Sequence, residues 1–306
     1  MNPQKPVCIA IIAPSGYCLD DARIAQGVAW LEVQGHTVHN YVDTTKVFQR
    51  FGGTDDDRLA CLNRAVENPH VQVVMALRGQ YGMTRLLPHI DFSKMAASGK
   101  IFVGFSDFTA FQLALLAKTG AVSYAGPMFL GDFAAKEPLA FTVDDFFRCL
   151  ASSTHRISQS ASGNPALNVS GTLWGGNLAM LVSLLGTEYF PKVDGGILFL
   201  EDVNEHPYRV ERMLLQLMQA GVLARQKAVL LGDFSAYTLS SADNGYDFDA
   251  MLAYVRATLP CPVLTGLQFG HGRKRVTIPV GARGALRSDA AHFELFISGY
   301  RTVNDA

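Results

Sequence analysis

The residues that could do chemistry are a serine, an acid and a histidine that lie far apart along the chain. Ser106 stands in Gly104-Phe-Ser-Asp-Phe-Thr-Ala110, between a short apolar run (residues 100–105) and a helical pattern (residues 107–118) that ends at Thr119-Gly120. A serine at such a strand-to-helix junction sits on a sharp turn with its hydroxyl exposed. The first helical turn also aims free backbone N–H groups at whatever the hydroxyl attacks. The nucleophile-elbow pattern G-x-S-x-G is matched only in part, because Phe108 takes the last position. The competing reading is that Ser106 or Asp107 simply N-caps the helix. For a base, His271 lies between Gly270 and Gly272 after a strand-like stretch, where a loop can bring the imidazole against another backbone; an ordinary surface-loop histidine has the same appearance. His206 is the rival, preceding Pro207 at a helix start. The acid candidates are Glu201 and Asp202, which follow the apolar run Ile197-Leu-Phe-Leu200. A carboxylate held there needs a partner or takes up a proton. His271 would serve, and so would Arg209 or Arg212. The order serine, acid, histidine is that of the α/β-hydrolases. Here, however, the serine is in the first half of the chain and the other two are in the second, so a shared site would lie between domains.

Other chemistries are not supported. There is no G-x-x-x-x-G-K, no G-x-G-x-x-G, no H-E-x-x-H and no S-x-x-K. His36 and His39, three apart in a strand-like stretch, point to opposite faces and do not suggest a shared metal. No metal and no cofactor is expected. The 306 residues carry a net charge of −1 with the basic residues scattered, so no nucleic-acid or anionic-membrane partner is expected. Five cysteines, an odd number without C-x-x-C spacing, read as small buried hydrophobes in a reducing compartment. The first apolar run breaks at Pro14-Ser-Gly16 and reads as a buried strand rather than a leader, and no segment reaches membrane-spanning length. A cytoplasmic location is expected.

The elements that must position these residues follow from periodicity. Residues 7–13, 37–42, 71–77 and 100–105 read as strands, with 121–124 a candidate for one more. They alternate with helical patterns at 20–34, after Thr54 with Asp57 as a capping box, at 107–118 and at 138–150. Alternating βα units with continuously apolar strands imply an α/β fold with a parallel sheet covered on both faces, and ligands beyond the carboxyl ends of the strands. The loops Ala13-Pro-Ser-Gly-Tyr17, Arg78-Gly-Gln-Tyr-Gly82 and Gly104-Phe-Ser-Asp107 then share one side. Ser-rich residues around 151–168 read as a boundary: an N-terminal domain over 1–155, a linker over 156–168, and a mixed α+β C-terminal domain over 169–306.

These stretches together resemble the LD-carboxypeptidase family of serine peptidases, cytoplasmic enzymes of murein recycling. The resemblance extends through Gly126-Pro-Met128, Gly171-Thr-Leu-Trp-Gly-Gly-Asn177, Leu200-Glu-Asp-Val-Asn-Glu-His-Pro207 and Phe269-Gly-His271. It implies Ser106 as nucleophile, His271 as general base, Glu201 as the orienting acid, and an oxyanion hole from the backbone N–H groups of Gly79 and Asp107. It also implies a Rossmann-like N-terminal domain, a C-terminal domain with a small barrel-like β portion, and a homodimer. The substrate class would be a murein tetrapeptide losing its terminal D-alanine through an acyl-enzyme. Arg78, Ser15 and Gly16 are candidates for its carboxylate, and Trp174 and Asn177 for the pocket lining, although Trp174 suits an interdomain core equally well. The departure is Gln80, where the family usually has a second glycine. Two other readings remain: a related immunity-type peptidase cleaving a peptide–nucleotide amide, and a non-catalytic small-ligand binding protein.

Overall fold

A computed structural model describes residues 5–305. Strand β1 (Cys8–Ile12) leads to helix α1 (Asp21–Val33), then β2 (Thr37–Asn40), α2 (Asp55–Glu67) and β3 (Val73–Ala76). The capping box forms: Thr54 and Asp57 satisfy each other's backbone N–H groups at the start of α2. Two short helices that periodicity did not pick out, α3 (Met83–Leu86) and α4 (Phe92–Ala97), precede β4 (Ile101–Gly104). A 3-10 turn over Ser106–Phe108 then opens α5 (Thr109–Thr119), and β5 (Ser123–Ala125) and α6 (Ala140–Ala151) complete the first unit.

These five strands run in the order β2-β1-β3-β4-β5, all parallel. The side chains of β1, β3, β4 and β5 are almost all buried because helices cover both faces, which is why the central strands read as continuous apolar runs, whereas the edge strand β2 buries none of its residues. The strand order reverses between β1 and β3. In open α/β sheets the crevice at such a switch point, beyond the strand ends, is where ligands sit. Residues 13–17 and 77–82 flank that crevice, and Ser106 follows the next strand.

The second half contributes β6 (Thr154–Ser160), β7 (Leu167–Asn177), α7 (Leu178–Ser183), β8 (Gly196–Val203), α8 (Pro207–Gln219), β9 (Gln226–Ser235), α9 (Phe248–Thr258), β10 (Val263–Leu264), β11 (Ile278–Val280), β12 (Arg283–Ser288) and β13 (His292–Ser298). Seven of these form one sheet in the order β10-β9-β8-β7-β12-β13-β6, parallel as far as β7 and antiparallel beyond it. The sheet curls until its ends approach. Gln159 of β6 accepts from the Gln268 N–H just beyond β10, at 2.9 Å. The barrel-like portion is thus closed by side chains rather than by a ladder.

The stretch expected as a linker, 156–168, is largely structured. β6 pairs with β13 along its whole length, with His155, Ile157 and Gln159 facing inward. Its inward positions are mostly polar, so composition hid a period-two pattern. The two halves also interlock. Strand β11, from late in the chain, joins the first sheet as an antiparallel edge on β5. The tail returns to the first unit through Val303 N–H to Leu150 O, 3.0 Å, and Gln72 Nε2 to Val303 O, 3.1 Å. All five cysteines are unpaired, four of them buried. Among the described residues no helix is long and apolar enough to cross a membrane.

Candidate active site

The structure brings Ser106, His271 and Glu201 into one hydrogen-bonded chain. His271 Nε2 lies 3.2 Å from Ser106 Oγ, and its Nδ1 lies 2.7 Å from Glu201 Oε2. Ser106 has φ +60°, a conformation that costs an L-residue about 1–2 kcal/mol and recurs where function demands it. Its hydroxyl does not cap the helix that follows it, and neither does the Asp107 side chain. The cap reading therefore fails for both residues.

The serine turn is packed against the loop after β3. A Cβ on Gly79 would lie 2.8 Å from Ser106 Oγ and 3.5 Å from Asp107 N, so only glycine lets these backbones approach. The next residue, Gln80, also holds a positive φ, +87°, and is exposed. Its side-chain amide lies over Gly16, where any Cβ would collide with it.

The Asp107 carboxylate has a different task from the one expected. It is buried, and its Oδ2 accepts from Ser15 Oγ at 2.5 Å and from Met83 N–H at 2.8 Å. Burial pushes its pKa up, and these donors with the nearby Arg58 guanidinium partly offset that. Arg58 is itself fully buried and donates to Gly82 O at 2.9 Å and to Pro14 O. A buried acid and a buried base thus tie the loops after β1, β3 and β4 together.

Glu201 is fully buried at the end of β8. Its second oxygen accepts from Asn177 Nδ2 at 3.1 Å, and the same nitrogen reaches Asp202 Oδ1 at 2.9 Å. Asn177 Oδ1 accepts from Met180 N–H at 3.0 Å, which fixes which way the amide faces. The Asn177 N–H donates to Thr109 Oγ1, 3.0 Å away, at the head of the helix that follows Ser106. Asp202 Oδ2 accepts from Ala179 N–H at 2.8 Å; burial and the adjacent Glu201 push the Asp202 carboxyl up to about 6. On the base side, Gly270 has φ +133°, and a Cβ there would lie 3.0 Å from both Cβ and Oε2 of Glu201.

Several expected pocket residues turn out to be otherwise occupied. Trp174 is completely buried within the second half, with its Nε1 donating to Gln226 Oε1 at 2.8 Å, and so cannot line a pocket. Ser15 spends its hydroxyl on Asp107, and the Gly16 N–H donates to Gly79 O at 3.1 Å, so both brace the loop. Asn177 holds the acid. Arg78 is half-buried on the loop after β3, with Nη1 donating to Tyr17 O at 3.1 Å. His206 caps α8, its Nδ1 accepting from Tyr208 N–H, and its Nε2 faces Asp243 at 3.0 Å. Sequence reasoning missed Arg58, Thr109, Asp132 and Arg275. The available signal was a charge on an otherwise apolar helix face: Arg58 shares the buried side of α2 with Leu62 and Ala65. Among the described residues no three His, Cys, Asp or Glu side chains are placed to hold a metal ion.

A serine, imidazole and carboxylate linked in this order is the equipment of a serine hydrolase. The chain belongs to the LD-carboxypeptidase family: residues 9–126 match its N-terminal domain and residues 170–286 its C-terminal domain. The crystal structure of muramoyltetrapeptide carboxypeptidase from Oxalobacter formigenes is similar with a TM-score of 0.93 and 49% identity, covering 97% of this chain and 100% of that one. The murein tetrapeptide carboxypeptidase of Pseudomonas aeruginosa is 30% identical over 92% of this chain and 93% of its own. The microcin C7 self-immunity protein MccF of Escherichia coli is 27% identical over 87% of this chain and 86% of its own.

Proposed function

We propose that the protein is a serine LD-carboxypeptidase that releases the terminal D-alanine from murein tetrapeptides, with Ser106 as nucleophile, His271 as general base and Glu201 as the orienting acid. The observation that carries this reading is the unbroken chain from Ser106 Oγ through both His271 nitrogens to Glu201. The 49% identity to a muramoyltetrapeptide carboxypeptidase supports the substrate class. Ser106 Oγ attacks the carbonyl of the L-centre as its proton passes to His271 Nε2. The backbone N–H groups of Gly79 and Asp107 receive the developing oxyanion. Collapse breaks the C–N bond, and His271 gives its proton to the departing D-alanine amine. Water, deprotonated by His271, then hydrolyses the ester and restores Ser106. We assign the terminal carboxylate to Arg78, which is half-buried on the loop after β3 next to Gly79. Unpaired cysteines and the murein-peptide substrate class support action in the cytoplasm, and the homodimer that the family resemblance implies is part of the proposal.

Ser106→Ala should abolish D-alanine release from a tetrapeptide while leaving the unfolding midpoint near that of the parent; retained activity would remove the nucleophile assignment. Assaying a peptidyl-adenylate mimic beside the tetrapeptide separates this reading from the immunity-type activity. A pure binding protein would show no labelling of Ser106 by an organophosphonate.

A further inference from the structure

The loop that presents His271 is held from behind by one side chain that the reaction itself does not use. Arg275 is 6% exposed. Its Nε donates to Gly270 O at 2.9 Å, and its Nη2 makes a longer contact, 3.4 Å, with Gly272 O. The guanidinium therefore grips the carbonyls on both sides of His271. Its Nη1 donates to Asp132 Oδ1. Asp132 lies on a π turn, Phe129–Phe133, in the first unit, and its other oxygen accepts from Met128 N–H at 2.9 Å. The backbone N–H of Arg275 is also tied to the first unit, donating to Thr142 Oγ1 at 3.1 Å. Finally, the guanidinium carbon lies 4.0 Å from the ring centroid of Phe105, the residue before Ser106. The same ring meets the His271 imidazole edge-on, with centroids 4.9 Å apart.

We propose that Arg275, anchored by Asp132, is a positioning residue that sets the His271 loop against the Ser106 turn. This rests on the assignment of Ser106 and His271 above. A salt bridge serving stability alone would explain a buried arginine and aspartate, but such pairs gain little over apolar packing. Nor would it account for a fork closed on the two carbonyls flanking His271. The planar guanidinium grips two carbonyls and an aromatic face at once, which a lysine ammonium cannot. The need is geometric. Ser106 comes from one half of the chain and His271 from the other, and a displacement of about 1 Å between reacting groups costs on the order of 10²-fold in rate.

The test is the turnover of Arg275→Lys and Asp132→Asn on the tetrapeptide, with kcat counted per serine titrated to completion by an organophosphonate. Such counting removes misfolded protein from the comparison, and the isosteric Asp132→Asn decides if Arg275→Lys does not accumulate. The expected result is a loss of kcat of about tenfold or more, a KM within about threefold, and phosphonate labelling slowed in parallel. A kcat per titrated serine within about twofold of the parent in both variants would overturn the proposal. Ser106→Ala and His271→Ala run alongside. If they are inactive while the Arg275 and Asp132 variants turn over normally, only the positioning role falls. If Ser106→Ala is active, the underlying assignment falls instead.

Discussion

Glu201→Gln is the sharpest perturbation of the triad, because the structure leaves the replacement amide nowhere to satisfy both its neighbours. Glu201 is fully buried, with Oε2 2.7 Å from His271 Nδ1 and Oε1 3.1 Å from Asn177 Nδ2. Both neighbours are donors to a carboxylate. Asn177 cannot turn to help, since its Oδ1 is held by the Met180 N–H. A glutamine offers one oxygen and one NH₂. With the oxygen toward His271, two NH₂ groups face each other in a buried space, at a cost of about 1–3 kcal/mol. With the oxygen toward Asn177, the amide donates to His271 Nδ1 and drives the imidazole to the tautomer that carries its proton on Nε2. That tautomer cannot accept the Ser106 proton. The variant also loses the negative charge that stabilises the imidazolium. Together these effects should lower kcat by about 10³–10⁴, or roughly 4–5.5 kcal/mol of transition-state stabilisation. The fold should lose no more than about 1–3 kcal/mol, from one mispaired buried group. The assay is D-alanine release per titrated active serine, with urea unfolding in parallel. A loss below about tenfold would refute the reasoning and move the orienting role to Asp202 or leave Glu201 purely structural.

Two further outcomes follow from the same neighbourhood. The Asp202 carboxyl is raised from 3.8 to about 6, so the native state holds its proton more tightly than the unfolded chain does, and its contribution to stability is present at low pH and lost as pH rises from about 4 through 6. Relative to the parent, Asp202→Asn should gain about 2 kcal/mol between pH 4 and pH 7 in urea unfolding, since each pH unit between the two pKa values is worth about 1.4 kcal/mol and the lower end of that interval is already passed at pH 4; a stability gap flat across that range would contradict the buried, Glu201-coupled carboxyl. Gln80→Gly relieves a side chain at φ +87° and should raise unfolding stability by about 1 kcal/mol after the entropy cost of glycine, read as a higher melting temperature; a lower melting temperature would mean that the amide over Gly16 outweighs the strain.

Legibility of the chain followed a simple physical division. The central parallel strands β1, β3 and β4 were readable because burial on both faces makes them apolar, and α2 because its capping box is local chemistry. Ser106, Glu201 and His271 stood out because each ends a strand or sits between glycines. Strand β6 was hidden because it turns His155 and Gln159 inward, and polar inward positions defeat a hydrophobic-period reading. Four of the five residues expected at the pocket, Ser15, Gly16, Trp174 and Asn177, are engaged with the protein, and this was hidden for a different reason. Ser15, Gly16 and Asn177 do lie around the site, but a residue type cannot say whether its donors face the ligand or the protein. That depends on partners such as Asp107, 92 residues away from Ser15, and Asp202, 25 away from Asn177. Trp174 was drawn toward the site by its neighbours in the chain, whereas β7 turns it into the core against Phe190.

The residues that were hardest to see share a task. Buried polar groups hold both sides of the triad: Asp107 and Arg58 each tie the loops beneath the serine turn, Asn177 bridges Glu201 and Asp202, and Asp132 pairs with Arg275 behind the histidine. Apolar contacts are non-directional and tolerate small slides. A site assembled from two sheets needs contacts that fail when shifted by a fraction of an ångström, and short charge-assisted hydrogen bonds do. Burying them is costly, and their gain over an apolar core is small. Their position explains why they are nonetheless there. Thr109 receives the Asn177 N–H and Asp132 receives Arg275, so in both cases the polar link crosses between the serine half and the acid–base half. The site is therefore as precise as these crossings, and the β11 strand and the returning tail keep the two halves close enough for them to form.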